Sequence, residues 1–386
     1  MVVLIAALAV VPVAGAADDI NRFAAQCVRG DDKLSNCLAA AKLGSPEAMQ
    51  LLSFGYRYGW YGIPKDQTQA TYWMQLGAMQ GRDTAQRLLG MRYLCGLGIK
   101  KDTKQALHWF KKAAEFGKQA GLDLAGYYEQ IGLTGEVNPR AALEYYTNGI
   151  KATAYGGDGK LISFYGLGTL FAEGDGVERD EVQAGEYFRS AFTQAIYWST
   201  LGTVPVGYLS GEVPTIGEPS RETLKREFEE AQSKAEAGDP KAEFELGRIY
   251  YNGKGVRPDA SNGFRWTERA ANAGYGPAIY AIAIGYVRNP KVRDYAKAEA
   301  LFRQIADVNP YGKFALAYLL TENVQGNKSD AERAEGVALM IAAANDNHQE
   351  AQTMLAMWYA LGIHVEKDLS VSKRWWAKRM DCSHWQ

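Results

Sequence analysis

From about residue 44 to residue 382, small and apolar residues return three and four apart in stretches of a dozen or so, with short polar, glycine-bearing breaks between them. That spacing is the period of one helix face, so it predicts helices throughout, alternating with tight loops. The unit is most legible in Ala242-x3-Leu246-Gly247-x2-Tyr250-x2-Gly253-x-Gly255-Val256-x2-Asp259-x6-Trp266-x3-Ala270-Ala271-x2-Gly274. Ala242, Leu246 and Tyr250 lie on one face of a first helix, where small neighbours permit close approach. Gly253 and Gly255 suit a loop that needs positive φ. Asp259 is placed to accept from the free N–H groups of a second helix, Trp266 and Ala270 face the first, and Gly274 ends the second in the left-handed conformation.

The cap position recurs at Asp66, Asp102, Asn138, Asp180, Ser220, Asp259, Asp294, Asp330 and Asp368, at intervals of 35 to 42 residues. Glutamine stands three residues past the cap at Gln69, Gln105 and Gln183, the spacing of a capping box. Seven past it come Trp73, Trp109, Tyr145, Tyr187, Trp266, Leu301, Val337 and Trp375, the predicted core set, with Glu227 alone out of pattern. Fifteen past it stand Gly81, Gly117, Gly274, Asn309 and Asn345, all tolerant of the left-handed conformation. Gly156 and Gly238 come eighteen past their caps, which predicts two longer second helices.

This pattern resembles the Sel-one-like repeat family, a relative of the tetratricopeptide solenoids, over nearly all of Gly44 to Cys382. The resemblance implies an all-α fold, a right-handed α-solenoid of about nine antiparallel helix pairs, whose usual activity is to bind other proteins. A single pair cannot bury its apolar face alone, and stacking neighbours makes one continuous core. The expected organisation is a signal peptide at 1–16, capping helices at 17–44 and a first repeat block at 45–201. An insertion loop at 202–219, a second block at 220–382 and a short tail at 383–386 complete it.

Hydrophobic residues at 47% and charged residues at 23% exclude wholesale disorder. Lys+Arg 43 against Asp+Glu 44 leaves a net charge of −1 with no long basic run, so no nucleic acid partner is expected. The first sixteen residues, MVVLIAALAVVPVAGA, read as a secretory signal peptide cleaved before Ala17, although no basic residue opens it; the alternative is an uncleaved anchor. A cleaved chain would carry no transmembrane segment and would be periplasmic or secreted. The four cysteines contain no CxxC, so structural zinc through a cysteine cluster is not expected. Cys27 and Cys37 flank Gly30 at offsets that a hairpin brings together, either as a disulfide in an oxidising compartment or as two buried thiols. Cys95 and Cys382 fall in units near opposite ends of the array and are expected to be free.

Recurring residues belong to the fold, so candidates for function are what does not recur. The insertion, GTVPVGYLSGEVPTIGEP, holds three prolines and cannot be helical. It follows a short first helix expected near Ala195, and its Val206, Tyr208, Leu209 and Ile216 are candidate contacts for a partner, against the alternative of a neutral surface insertion. Tyr58, Trp60 and Tyr61 crowd the loop of the first unit, and Trp376 follows the predicted core residue Trp375; all four are candidate anchors for a protein or a sugar. Ser370-x-x-Lys373 fits the acyl-serine motif S-x-x-K, and some relatives are described as binding penicillin-type compounds, but no S-D-N or K-T-G accompanies it. None of His108, His348, His364 and His384 stands at H-x3-H spacing. The reading is therefore an exported, non-catalytic scaffold for a protein partner, with no cofactor or metal. The alternatives are a module for envelope polysaccharide and a penicillin-binding-like cell-wall hydrolase.

Overall fold

The computed structural model describes residues 33–59, 63–152, 160–199, 221–322 and 328–384. The predicted signal peptide, Cys27, Trp60, Tyr61, Gly156, Ser220 and the whole 202–219 insertion with Val206, Tyr208, Leu209 and Ile216 lie outside the described residues. Among the described residues the chain is all-α, with no strand and one closing 3₁₀ turn, Cys382–His384. Its helices fall into two compact units, the first ending at Val137 and the second beginning at Asn138.

The first unit holds α1 (Lys33–Lys42), α2 (Pro46–Tyr58), α3 (Gln67–Met79), α4 (Asp83–Cys95), α5 (Thr103–Ala114) and α6 (Gln119–Gln130), each packed on the next. The second holds α7 (Pro139–Lys151), α8 (Leu161–Glu173), α9 (Glu181–Ser199), α10 (Arg221–Glu236), α11 (Pro240–Asn252), α12 (Ala260–Asn272), α13 (Gly276–Arg288), α14 (Tyr295–Ile305), α15 (Pro310–Thr321), α16 (Asp330–Asn345), α17 (Gln349–Leu361) and α18 (Leu369–Arg379). Ala195 is buried inside the continuous helix α9, so the short separate helix expected there is absent. α10, at sixteen residues, is longer than most of its sister helices, as Gly238 implied.

The caps explain where the second helices start. Asp66, Asp102, Asn138, Asp180, Asp259, Asp294 and Asp368 each accept a backbone N–H from the first turn that follows them. At α16 the cap is Ser329 rather than Asp330, because Glu332 reaches back to the Ser329 N–H and completes a capping box. Asn309 also departs from expectation. It caps the start of α15, accepting from Tyr311 and Gly312, and at the end of α16 the left-handed residue is Asn347, with φ 66, rather than Asn345.

Outside α10 and α16, the buried face of the second helices runs through the residues four, eight and eleven past the cap, one position off the predicted register; in α16 it runs through Gly336, Met340 and Ala343. Eight past the cap come Met74, Phe110, Tyr146, Phe188, Phe302 and Trp376, all buried. Phe228 holds the place in α10, which absorbs the anomaly of Glu227. The residues seven past the cap sit at the margin: Trp73 is buried, but Trp109, Tyr145, Tyr187, Trp266 and Trp375 are only half-buried. The Trp266 face is covered by the Arg269 guanidinium at 4.5 Å.

Within the second unit the chain also folds back on itself. α17 packs against its sequence neighbour α16 and, on another side, against α9. The Tyr165 ring of α8 stacks on Trp376 of α18 at 3.9 Å and 19°. Ser372 gives its proton to the Ala356 carbonyl, so the Tyr165 hydroxyl, 2.8 Å from Ser372 Oγ, is the donor to it. Lys373 with Glu173 and Lys367 with Glu181 add ion pairs at the rim. The carboxyl of Glu181 is held below its usual range by hydrogen bonds from Arg179 and Lys367. This contact places α8 and α9 with the C-terminal helices in the compact unit that begins at Asn138.

Candidate interaction surface

Most side chains that could carry chemistry are already engaged. Ser370 donates to the cap carboxylate of Asp368 at 2.7 Å, and Lys373 is held by Glu173 at 2.7 Å. Each side chain is turned to a different carboxylate, so the S-x-x-K match does not form a nucleophile–base pair here. His348 caps α17, its Nδ1 accepting from the Ala351 N–H at 3.3 Å while its ring stacks on Phe314. His364 adopts φ 59 where sister loops carry glycine, and its ring meets Trp358 edge-on at 4.8 Å. His108 is exposed beside Trp109. Among the described residues no group of three or more His, Cys, Asp or Glu side chains converges as metal ligands would.

The sequence-predicted contact residues are scattered by the fold. Tyr58, the last residue of α2, is half-buried with the Arg57 guanidinium 4.9 Å above its ring. Trp376 is 2% exposed and belongs to the core, because its place eight past the Asp368 cap points inward; it cannot serve as a surface anchor. Cys37 is buried and disulfide-bonded. Cys95 and Cys382, expected to be free, are disulfide-bonded as well, and no described cysteine is a free thiol.

What the structure brings together instead is a cavity of about 510 Å³ between α11, α12 and α13. Phe244 and Thr267, both buried, form its floor. Its rim is apolar and open to solvent, with Tyr251 at 46%, Phe264 at 42% and Val292 at 52% exposure. Such an uncovered apolar concavity with few polar groups is the usual form of a binding site. The one charged side chain lining it is Arg248, paired with Glu245 at 2.7 Å. Burial pushes the Tyr251 hydroxyl above its ordinary range. A second cavity, of about 380 Å³ between α10 and α11, is lined by both signs of charge, including the Lys234–Glu230 pair.

Sequence reasoning passed over the α11–α13 cavity because it counted the core at seven past the cap. Counted at eight, Thr267 is the only polar residue among the buried members of the series, the others being Met74, Phe110, Tyr146, Phe188, Phe302 and Trp376, and that irregularity was available to find it.

The chain matches the Sel1 repeat over residues 46–81, 84–117, 121–152, 165–198, 240–275 and 349–378, more than half its length. It is 30% identical over 150 residues to the Sel1-repeat-containing protein YjcO of Escherichia coli strain K12, and equally to the uncharacterized protein YjcO of E. coli O157:H7 and of Shigella flexneri. That match takes in 38% of this chain and 62% of the relatives, less than two thirds of their length. Among solved structures it is similar to c5321, a protective antigen present in uropathogenic E. coli strains displaying an SLR fold, with 23% identity and a TM-score of 0.40 over 94% of this chain and 76% of that one. A Sel1 repeat protein from Oxalobacter formigenes gives 22% identity and a TM-score of 0.39 over 87% and 85%. With the family model matched over more than half of its residues, the chain belongs to the Sel1 repeat family.

Proposed function

We propose that the protein is an exported, non-catalytic scaffold that holds a protein partner on its helix-pair array, in the bacterial envelope or outside the cell. The observation that carries this reading is the uncovered apolar cavity and rim between α11, α12 and α13, set in a repeat family whose members typically mediate protein–protein interaction. Export is supported by the disulfide-bonded state of Cys37, Cys95 and Cys382, since structural disulfides persist in oxidising compartments. Among the described residues no helix is long and apolar enough to cross a membrane.

Crosslinking in the source cell followed by mass spectrometry tests the reading. The expected result is one or a few envelope or extracellular proteins joined to this chain. Retention on peptidoglycan with no crosslinked protein would refute it. Alkylation of the purified protein without reductant should leave Cys37, Cys95 and Cys382 unlabelled, and labelling of any of them in protein from an envelope fraction would count against export.

A further inference from the structure

The α11–α13 cavity is the space that a large side chain fills in the sister repeats. A Cβ built on Gly90 would stand 2.5 Å from Phe110, on Gly168 it would stand 2.6 Å from Phe188, and on Gly247 it would stand 2.6 Å from Thr267 Oγ1. The three glycines are each twelve residues before their cap, so the three partners occupy one equivalent place. In that place Phe110 stacks on Tyr128 of the following helix at 4.9 Å, and Phe188 meets Tyr165 at 5.6 Å. Thr267 is too short to do either and turns its hydroxyl back to the Gly263 carbonyl at 2.8 Å. The facing wall recedes too, because a Cβ on Gly285 would meet nothing within 4 Å. Phe244, the counterpart of Tyr165, is thus left facing a void on its Thr267 side.

Charge distinguishes the mouth as well. The segment from Arg288 to Arg293, which supplies Asn289 and Val292 to the wall, is exposed throughout and carries Arg288, Lys291 and Arg293 without an acidic residue. Among the described residues none of these three cations has a carboxylate partner, and no carboxylate lines the cavity. The geometry points to a docking site for a polypeptide segment that inserts one aromatic side chain between acidic residues, the ring supplying the large residue that Thr267 omits. This deepens the scaffold reading and rests on it for its biological meaning. An aromatic side chain in a preformed, desolvated pocket is the usual energetic centre of an interface, and the cations add attraction and orientation.

The test is fluorescence anisotropy on the full chain with labelled nine-residue peptides: a central Trp with Asp and Glu toward both ends, the same with Ala for Trp, and the same with Lys for the acids. The Trp peptide should bind about tenfold or more tighter than either control. Thr267→Phe restores the sister residue and Gly285→Leu fills the void from the opposite wall, so each should abolish the Trp-over-Ala preference while leaving the melting temperature unchanged or raised. Reversing Arg288, Lys291 and Arg293 to Glu should remove the preference for acidic ends and keep that for Trp. No Trp preference in the parent chain, or a preference that survives in a filled variant that melts normally, would overturn the inference. Crosslinking separates this from the broader reading: the same proteins joined to Thr267→Phe as to the parent would overturn the aromatic site alone, whereas a parent chain that joins no protein refutes the scaffold function itself.

Discussion

Trp376→Ala removes a fully enclosed indole from its stack on Tyr165 and is expected to cost ~3–5 kcal/mol. Trp266→Ala loses a half-buried ring and a guanidinium contact and should cost about 1 kcal/mol. Denaturant melts compare the two, and equal losses would contradict the burial assigned to them. The sequence could not separate these roles by itself, because aromatic residues come in adjacent pairs: Trp109-Phe110, Tyr145-Tyr146, Tyr187-Phe188 and Trp375-Trp376. Neighbours on a helix point about 100° apart and both flank the core direction, so the choice is legible only where the pair is unequal, as in Glu227-Phe228. Glu332 offers a second check at this scale. Hydrogen bonds from the Ser329 N–H and hydroxyl, then from Lys328, bring its carboxyl down to about 2 from an ordinary 4.5. Because the folded value is the lower one, its support for the start of α16 is complete above the ordinary value and fades as pH falls toward about 2. The melting difference between the parent chain and Glu332→Gln should accordingly be present at pH 6 and close on acidification through that window.

At the level of the element, the loops carry more of the specification than the helices. Gly98 has φ 67, and a Cβ there would fall 1.9 Å from the Gln67 carbonyl oxygen at the start of the preceding second helix, so this glycine sets how closely successive pairs approach. Gly117, with φ 64, has nothing within 4 Å. Gly117→Ala should therefore cost only the left-handed penalty of ~1–2 kcal/mol, and Gly98→Ala on the order of 3 kcal/mol or more, since backbone must also move. Thermal melts of the two variants distinguish strain from clash. Caps and loop glycines were legible because each answers a local need that one residue type meets. The exceptions are also local: Ser329 displaces Asp330 because Glu332 completes its box, and Asn309 is drawn to α15 by the two N–H groups it can satisfy. The cavity was less legible, since a missing side chain leaves no motif and shows only against the correctly registered series.

Across the molecule, the contact of α8 and α9 with α17 and α18 is the feature that no local pattern announces, because the residues that make it, Tyr165, Ser372 and Trp376, are ordinary members of their own repeats. Amide hydrogen exchange should report it: Trp376→Ala is expected to speed exchange in α8 and α9 as well as in α17, with smaller changes in α11 and α12. Protection unchanged in α8 and α9 would show that the stack contributes little. The same contact bears on how the protein is made. Repeat arrays ordinarily consolidate as each unit meets its neighbour, but α9 leaves the ribosome about 150 residues ahead of α17. At ~5–20 residues per second the face of α9 that α17 will cover waits on the order of 10–30 s without its partner. Completion of this half of the chain is thus a posttranslational event that depends on an intact C-terminus, and a nascent chain stalled short of α17 presents a client surface to chaperones that the finished protein conceals.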